Sequence, residues 1–195
     1  MKKLLITGFE PFGTESVNPS WDAVNLLPSK IGEYALTKLC IPVIFGVGAE
    51  RVLSLANELS PDVILCVGQA GGRAFITPET VGINLRHADI PDNSGYRPID
   101  EPIVKGGVDA YFSTIPVRKI AEALNSASIP SQVSYSAGTY VCNDLLYTLL
   151  SKYKNTEVKV GFIHVPYSKE QGKEPSMDIL DIVKGLILAI QNLDI

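Results

Sequence analysis

The chain has 195 residues, of which 46% are hydrophobic and 19% charged, so it is long enough to bury a core without disulfides or metal. Its formal net charge of −4 and the lack of any basic run argue against nucleic acid as a partner, because phosphate binding needs clustered lysine and arginine. Three cysteines without a CxxC pair indicate a reducing cytoplasm and no disulfide framework.

Apolar runs alternate with helical periodicity over most of the chain. The first strand is predicted over Lys3–Thr7, whose apolar stretch is too short for a secretory signal. A helix is predicted over Pro19–Leu27, with Asn18 as its N-cap and proline at its first position. The next predicted elements are a strand over Tyr34–Phe45, a helix from about Ala49 to Leu59 and a strand over Asp62–Val67.

The second half of the chain continues the alternation and closes with a helix predicted over Met177–Leu193. The most apolar part of that helix, Ile179–Ile190, is too short to span a bilayer, so no membrane partner is expected. Residues 1–195 are predicted to form a single catalytic domain with an α/β fold, a three-layer α/β/α sandwich around a mostly parallel twisted sheet. The remaining elements are helices over Val117–Ala127 and Asn143–Tyr153, and strands over Gln132–Tyr135 and Val158–Val165.

One long segment, about 68–114, interrupts this pattern. It is rich in glycine, proline, aspartate and asparagine and shows no clear helix. A loop of this length in a compact domain is usually functional or disordered. Since ligands of such sheets bind beyond the carboxyl ends of the strands, we expect this irregular insertion to form a wall of an active site. Its charged and titratable candidates are Arg73, Glu79, Arg86, His87, Asp89 and Arg97.

The segment Ser136–Asp144 carries the clearest chemical signal. It leaves a short predicted strand, tightens at a glycine and delivers Cys142 to the start of an apolar-periodic helix. Asn143 and Asp144 are residue types that stabilise a helix start. A thiol at that position feels the positive end of the helix dipole, which favours a nucleophilic thiolate. The commoner alternative for a free cysteine is a small buried hydrophobe.

His164, at the end of the last predicted strand, is the candidate base. A histidine between apolar residues is more often a satisfied core residue. The chain has only two histidines, however, and the other, His87, lies in the insertion. Topology places His164 and Cys142 at neighbouring strand ends, where an imidazole can exchange a proton with the thiol. The residues alone leave the orienting carboxylate open among Glu10, Glu79, Asp89 and Asp92.

Metal and nucleotide sites are not predicted. Cys40 and Cys66 lie inside predicted strands, where a thiol is packing, so Cys142 is the only candidate nucleophile. Two separated histidines and two strand cysteines give no zinc-ligand spacing. The segment Gly68–Gly72 lacks both the Walker lysine and the GxGxxG order, so no cofactor is expected.

At these motifs the chain resembles the pyrrolidone-carboxylate peptidases (pyroglutamyl peptidase I, cysteine peptidase family C15). The resemblance covers essentially the whole length, and the cysteine motif is the most specific part of it. The matching segments are Gly8–Gly13 with Asn18–Ser20, Gly68–Arg73 leading to Glu79 and Asn84, Ser136–Asn143, and Phe162–Pro166.

The resemblance implies a cytoplasmic enzyme that removes N-terminal pyroglutamyl residues from peptides through a thioester, and a homo-oligomer, often a tetramer. It implies that Cys142 is the nucleophile, His164 the general base and acid, and Glu79 the carboxylate partner. Phe9 and Phe12 match the aromatic residues that hold the lactam ring, although ordinary core packing is their alternative. The other implied substrate-binding positions are Gln69, Ile90, Tyr140 and Val141.

The chain departs from the family pattern at three positions. Thr80 and Gly82 replace a basic residue and an alanine, and Asp89 replaces an arginine expected near the reaction centre. A carboxylate there would raise the pKa of Cys142 and weaken oxyanion stabilisation, unless Arg86 or Arg97 supplied the charge. The alternatives are therefore a weakened relative that acts as a small-amide hydrolase or binds lactams or peptides, and a phosphorylase-like enzyme, for which no phosphate site is visible.

Overall fold

The structure, a computed structural model, describes residues 1–194 and consists of ten strands and five α-helices over that range. The strands are β1 Lys2–Phe9, β2 Lys30–Ile31, β3 Tyr34–Ile41, β4 Val63–Gln69, β5 Thr77–Pro78, β6 Val81–Ile83, β7 Ala110–Phe112, β8 Lys159–Val165, β9 Tyr167–Ser168 and β10 Ser176–Met177. The helices are α1 Pro19–Leu26, α2 Val47–Leu59, α3 Val117–Ser126, α4 Val141–Tyr153 and α5 Ile179–Gln191.

A six-stranded sheet in the order β2-β3-β1-β4-β8-β5 forms the centre of the molecule. The inner strands β3, β1, β4 and β8 are parallel, whereas the short outer strands β2 and β5 are antiparallel to their neighbours. The predicted mostly parallel sheet is thus confirmed. The carboxyl ends of β1, β4 and β8 meet at one edge, because Gly68 of β4 is the register partner of His164 of β8.

Two apolar cores cover the two faces of the sheet. Along β1, Leu4 and Ile6 belong to the core shared with α1, α3 and α5, whereas Leu5 belongs to the core shared with α2 and α4. All three side chains are fully buried, as expected for a parallel strand with helices on both faces. The three-layer architecture predicted from the alternation is confirmed.

The predicted strand over Gln132–Tyr135 is wrong. Within the segment only Ser134 makes a bridge, to Glu79, and the preceding Ser131 makes another to Ile76; both bridges are isolated. The ladder is interrupted because the facing segment contains Pro78, which has no N–H to donate. The insertion contains no helix, as predicted, but it does contain the short strands β5, β6 and β7.

Two element boundaries differ from the sequence prediction in ways that matter for the site. Strand β3 ends at Ile41 and not at Phe45, because Pro42 cannot continue the ladder. Helix α4 begins at Val141, so that Cys142 lies inside its first turn. None of the helices in residues 1–194 combines the length and apolar character that crossing a bilayer requires.

The residue types of Asn143 and Asp144 had suggested that they cap α4, but they do not. The N-cap is Tyr140, without a side-chain hydrogen bond. Asn143 instead binds the insertion, since its Oδ1 accepts from Ile83 N at 2.9 Å and its Nδ2 donates to Ile83 O at 2.9 Å. Asp144 Oδ2 accepts from Gly46 N at 2.8 Å. Both side chains therefore fasten neighbouring loops onto the helix that carries Cys142.

Candidate active site

The Cys142 thiol lies against the end of β4. A Cβ atom on Gly68 would stand 3.0 Å from Cys142 Sγ and 2.7 Å from Phe162 Cζ, so only glycine leaves room for the sulfur there. Phe162 and His164 are two residues apart on β8 and therefore face the same side of the sheet. Their ring centroids are 4.7 Å apart. The thiol and the imidazole thus share one face at adjacent strand ends.

A buried hydrogen bond fixes the His164 ring. His164 Nδ1 lies 2.7 Å from Glu79 Oε1, and the side chains are 5% and 0% exposed respectively. The backbone N–H of Glu79 donates to Phe162 O at 2.9 Å, which holds the carboxylate beside β8. Because Nδ1 is occupied by the carboxylate, Nε2 is the ring nitrogen left to exchange a proton with the thiol.

Of the four carboxylates that the sequence left open, only Glu79 contacts His164. Glu10 Oε1 accepts from Asn93 Nδ2 at 3.0 Å. Asp92 closes a turn, since its Oδ1 accepts from the backbone N–H groups of Ser94 and Tyr96. Asp89 lies on the surface, with its side chain 97% exposed.

Arg73 is the partner of Glu79 that sequence reasoning missed. Its Nη1 donates to Glu79 Oε1 at 2.7 Å and to Thr77 Oγ1 at 2.8 Å, and its Nη2 donates to Ser136 O at 3.1 Å. The sequence placed Arg73 in the wall of the site without pairing it. A usable signal existed, because a buried carboxylate needs a nearby cation and Arg73 is the nearest arginine along the chain.

The charges around Glu79 keep it ionised. Burial alone would raise the pKa of Glu79, but the hydrogen bond and charge of His164, assisted by Ser134 and Arg73, outweigh burial and hold this pKa below its ordinary value. Glu79 Oε2 is buried without a hydrogen-bond partner among the described residues. Both donors of the site, Arg73 and His164, therefore converge on the single oxygen Oε1.

The pKa of Cys142 is shifted in the direction opposite to the one that its helix position had suggested. Burial raises the pKa of Cys142 above its ordinary value, the negative charge of Glu79 raises it further, and Arg73 opposes both. Loss of hydration disfavours the charged form of the thiol, and it is the largest of these effects. A raised pKa means that a base is needed to form the thiolate near neutral pH.

A small cavity opens beside the sulfur. It encloses about 30 Å³ and carries no acidic or basic side chain in its lining. A ring-sized ligand needs more room than this cavity offers. The lining residues are Phe9, Phe12, Asn18, Val43, Gln69, Tyr140, Val141 and Cys142.

Five of the six expected substrate-binding positions line this cavity, and Ile90 does not. The Ile90 side chain is 52% exposed, on a loop that Tyr140 ties down by donating its hydroxyl to Pro91 O at 3.0 Å. The sequence analysis gave Asn18 as the N-cap of α1 and as part of a family motif, and its Oδ1 does fill the cap by accepting from Ser20 N. Asn18 and Val43 are the lining residues that it missed.

The structure does not place Asp89 beside the reaction centre. Its side chain is 97% exposed, and its carboxylate lies 3.9 Å from His87 Nε2. The two arginines considered as substitutes are engaged elsewhere, since Arg86 pairs with Asp144 at 2.6 Å and Arg97 donates to Ala88 O at 3.0 Å. The cation at the site is Arg73.

Of the other two departures, Gly82 lies where the insertion crosses α4. A Cβ on Gly82 would stand 2.9 Å from the backbone nitrogen of Tyr147, so glycine permits this close approach. Thr80 Oγ1 is buried without a hydrogen-bond partner among residues 1–194. No group of three or more His, Cys, Asp and Glu side chains in the described part of the chain is arranged to hold a metal ion.

The chain is similar to known proteins over its whole length. A family model described as pyroglutamyl peptidase matches residues 2–194. The pyrrolidone-carboxylate peptidase of Vibrio campbellii is 46% identical over 195 residues, which cover 98% of this chain and 92% of the relative. The pyrrolidone-carboxylate peptidase of Thermococcus onnurineus is 48% identical over 194 residues and covers 97% of both chains.

Solved structures give the same result. The crystal structure of Bacillus amyloliquefaciens pyroglutamyl peptidase I matches with a TM-score of 0.95 at 42% identity and covers 99% of this chain and 97% of its own. The pyrrolidone carboxyl peptidase of Thermococcus litoralis matches with a TM-score of 0.94 at 38% identity, covering 99% of this chain and 93% of its own. By sequence and by structure, the chain belongs to the pyroglutamyl peptidase family.

Proposed function

We propose that this protein is a cysteine peptidase that removes N-terminal pyroglutamyl residues from peptides. The observation that carries the proposal is the buried His164–Glu79 pair at 2.7 Å, on the face of the sheet where the Cys142 thiol lies against Gly68. A base oriented by a carboxylate, next to a thiol, is the arrangement that nucleophilic acyl transfer requires.

In the proposed reaction His164 Nε2 takes the proton of Cys142 as the sulfur attacks the pyroglutamyl carbonyl. The raised pKa of the thiol makes this transfer part of the attack, since little thiolate is present beforehand. Glu79 stabilises the imidazolium that forms. His164 then protonates the departing amine, and water activated by the same ring cleaves the thioester.

Backbone N–H groups in the first turn of α4 are the proposed donors to the oxyanion. The first N–H groups of a helix have no intrahelical partner, and Cys142 itself is the second residue of α4. Such donors are already oriented when negative charge develops on the carbonyl oxygen.

The cavity supports a small neutral substrate group. Aromatic and aliphatic side chains form most of its lining, and amide groups of Asn18 and Gln69 supply polar contacts. A charged α-amino terminus would lose hydration there without a counter-charge, because no carboxylate lines the cavity. Pyroglutamate, whose α-nitrogen is a neutral lactam, avoids that cost.

Release of aminomethylcoumarin from pyroglutamyl, prolyl and glutaminyl amides tests the proposal. We expect turnover of the pyroglutamyl amide alone, loss of that turnover in Cys142→Ala, and near-normal turnover in the control Cys40→Ala, which removes a thiol from β3. Equal turnover in wild type and Cys142→Ala would reject the nucleophile assignment. Binding of the pyroglutamyl compound without turnover would favour the alternative, a lactam- or peptide-binding relative.

The cytoplasmic location and the homo-oligomer, often a tetramer, stay predictions of the resemblance. Sedimentation of the purified protein tests the second of them directly.

A further inference from the structure

A chain of hydrogen bonds joins the short 3₁₀ turn Lys169–Gln171 to the cavity. The backbone N–H of Ser168 donates to Gln171 Oε1 at 3.0 Å. At its other end, Gln171 Nε2 donates to Gln69 Oε1 at 2.9 Å and to Glu15 Oε2 at 3.1 Å. The segment that follows β8 therefore holds Gln69, the last residue of β4, through a side-chain hydrogen bond.

The donor and the acceptor of each of these hydrogen bonds are fixed by groups that can only donate or can only accept. A backbone N–H can only donate, so the oxygen of the Gln171 amide must face Ser168 and its nitrogen must face the other way. An ionised carboxylate can only accept, and Lys173 and Gln171 hold the pKa of Glu15 below its ordinary value. The Gln171 nitrogen is thus a donor to both of its partners, and Gln69 must offer it an oxygen.

The consequence reaches the cavity through Gln69. Gln69 Oε1 accepts from Gln171, so Gln69 Nε2 is the amide atom left to donate to a ligand in the cavity that Gln69 lines. Within residues 1–194, no oxygen atom accepts a hydrogen bond from Gln69 Nε2. Gln69 directly follows Gly68, the residue against which the Cys142 sulfur lies. A free donor therefore belongs to a residue that lines the same cavity as Cys142.

We propose that Gln171 is a positioning residue that fixes the Gln69 amide with its NH₂ group toward a carbonyl oxygen of the bound pyroglutamyl residue. This inference rests on the proposed function, because it concerns how the protein recognises the pyroglutamyl residue. The pyroglutamyl residue offers two carbonyl oxygens, one in the lactam ring and one at the scissile bond. With the amide reversed, an oxygen would face the substrate carbonyl and repel it.

The variant Gln171→Glu tests the direction of the amide with little change in size. Its carboxylate can still accept from Ser168 N, but it has no N–H for Gln69 Oε1, so Gln69 is expected to turn its nitrogen toward residue 171. We expect kcat/KM for a pyroglutamyl coumarin amide to fall roughly ten- to a hundredfold, the range for a mispaired polar contact. The control Gln191→Glu, the same change at the exposed end of α5, is expected to leave kcat/KM within about twofold.

The double variant Glu15→Gln/Gln171→Glu separates amide direction from charge repulsion. It restores the net charge of the site and removes the contact between two carboxylates, yet residue 171 still lacks a donor for Gln69. We expect kcat/KM to stay low, while the rate of Cys142 alkylation by iodoacetamide and the midpoint of thermal unfolding stay near wild type. A merely structural role would move all three quantities together.

The kinetic parameter that changes identifies the carbonyl. A rise in KM at constant kcat indicates the lactam oxygen, whereas a fall in kcat indicates the scissile carbonyl, where charge develops. Recovery of wild-type kcat/KM in the double variant, or no loss in Gln171→Glu, would overturn the inference while leaving the peptidase activity standing. A wild-type protein that does not turn over the pyroglutamyl amide would instead contradict the proposed function itself.

Discussion

The charged side chains of the irregular insertion behave differently in its two halves. In the near half, residues 69–83, Arg73 and Glu79 are drawn inward and meet at one oxygen beside His164. In the far half, residues 84–109, the charged groups hold the loop together, pair with α4 or face solvent: His87 lies 2.8 Å from Asp100, Arg86 pairs with Asp144, and Asp89 is almost fully exposed. The charged residues of the near half therefore lie in the candidate active site, whereas those of the far half support the loop.

The difference follows from the sheet. The near half leaves β4, returns as β5 along β8 and so places Thr77 opposite His164. Any charged side chain on that short path is brought to the strand ends, where burial makes a partner obligatory. The far half runs outside α4 and is fastened to it by Asn143, whose Nδ2 donates to Leu85 O at 2.9 Å, and by Asp144, which pairs with Arg86. We therefore expect changes in the near half to affect the chemistry and changes in the far half to affect stability or nothing.

The largest effect is expected for Glu79→Gln. The amide keeps the size of the side chain but cannot stabilise the imidazolium or hold the required His164 tautomer, so kcat should fall roughly 10³- to 10⁴-fold. The matched control in the far half is Glu101→Gln, whose side chain accepts from the Tyr96 hydroxyl at 2.5 Å. Its kcat is expected to stay within about twofold, and steady-state kinetics on a pyroglutamyl amide measures both. Similar losses in the two variants would remove the distinction between the halves.

The next largest effect is a loss of stability in Asp144→Ala. Asp144 is 3% exposed and bonds Arg86 Nε at 2.6 Å, so its removal leaves a guanidinium without its partner. The free energy of unfolding in urea is expected to fall by about 3 kcal/mol. The double variant Asp144→Ala/Arg86→Met should lose less than the sum of the two single changes. Strict additivity would show that the pair does not fasten the far half to α4.

Arg73→Met is expected to lower kcat/KM roughly ten- to a hundredfold, because Glu79 loses its cation. Arg73 lowers the pKa of both Glu79 and Cys142. Without it both pKa values rise, so activity should appear at higher pH and alkylation of Cys142 at a fixed pH should be slower. Arg97→Met, which removes a far-half arginine, is expected to change none of these. An unshifted pH profile in Arg73→Met would contradict its electrostatic role.

The smallest effect is expected for Asp89→Arg, which restores the residue type of the family pattern. Because the Asp89 side chain is 97% exposed, kcat/KM should change by no more than about twofold. A gain of tenfold or more would show that this surface position reaches the reaction centre when substrate is bound.

The fold was predictable wherever the apolar residues of the sequence follow the pattern of a strand or a helix. Strand β4 is a continuous apolar run, and α5 shows a clear apolar face, so both follow from the pattern alone. The strand prediction for residues 132–135 failed because the strand-like composition of this segment says nothing about the segment it faces, where Pro78 interrupts pairing. Propensity is local, whereas a ladder needs two compatible segments.

The site was predictable in its residue types and less so in its electrostatics. Strand ends and the family resemblance led to Cys142, His164 and Glu79 as candidates, and the structure brings the last two into contact. The protonation of Cys142 could not be foreseen, because a helix start is visible in the sequence but burial of the thiol is not. The contact of Arg73 with Glu79 is likewise a tertiary feature.

Trapping the covalent intermediate tests the central claim most directly. Wild-type protein mixed with a pyroglutamyl ester, quenched in acid within the first turnover and measured by intact-mass spectrometry, should carry one pyroglutamyl group, and peptide mapping should place it on Cys142. Glu79→Gln should accumulate the adduct more slowly, and Cys142→Ala should carry none. Turnover by wild type with no adduct, or with the adduct on another residue, would contradict the account.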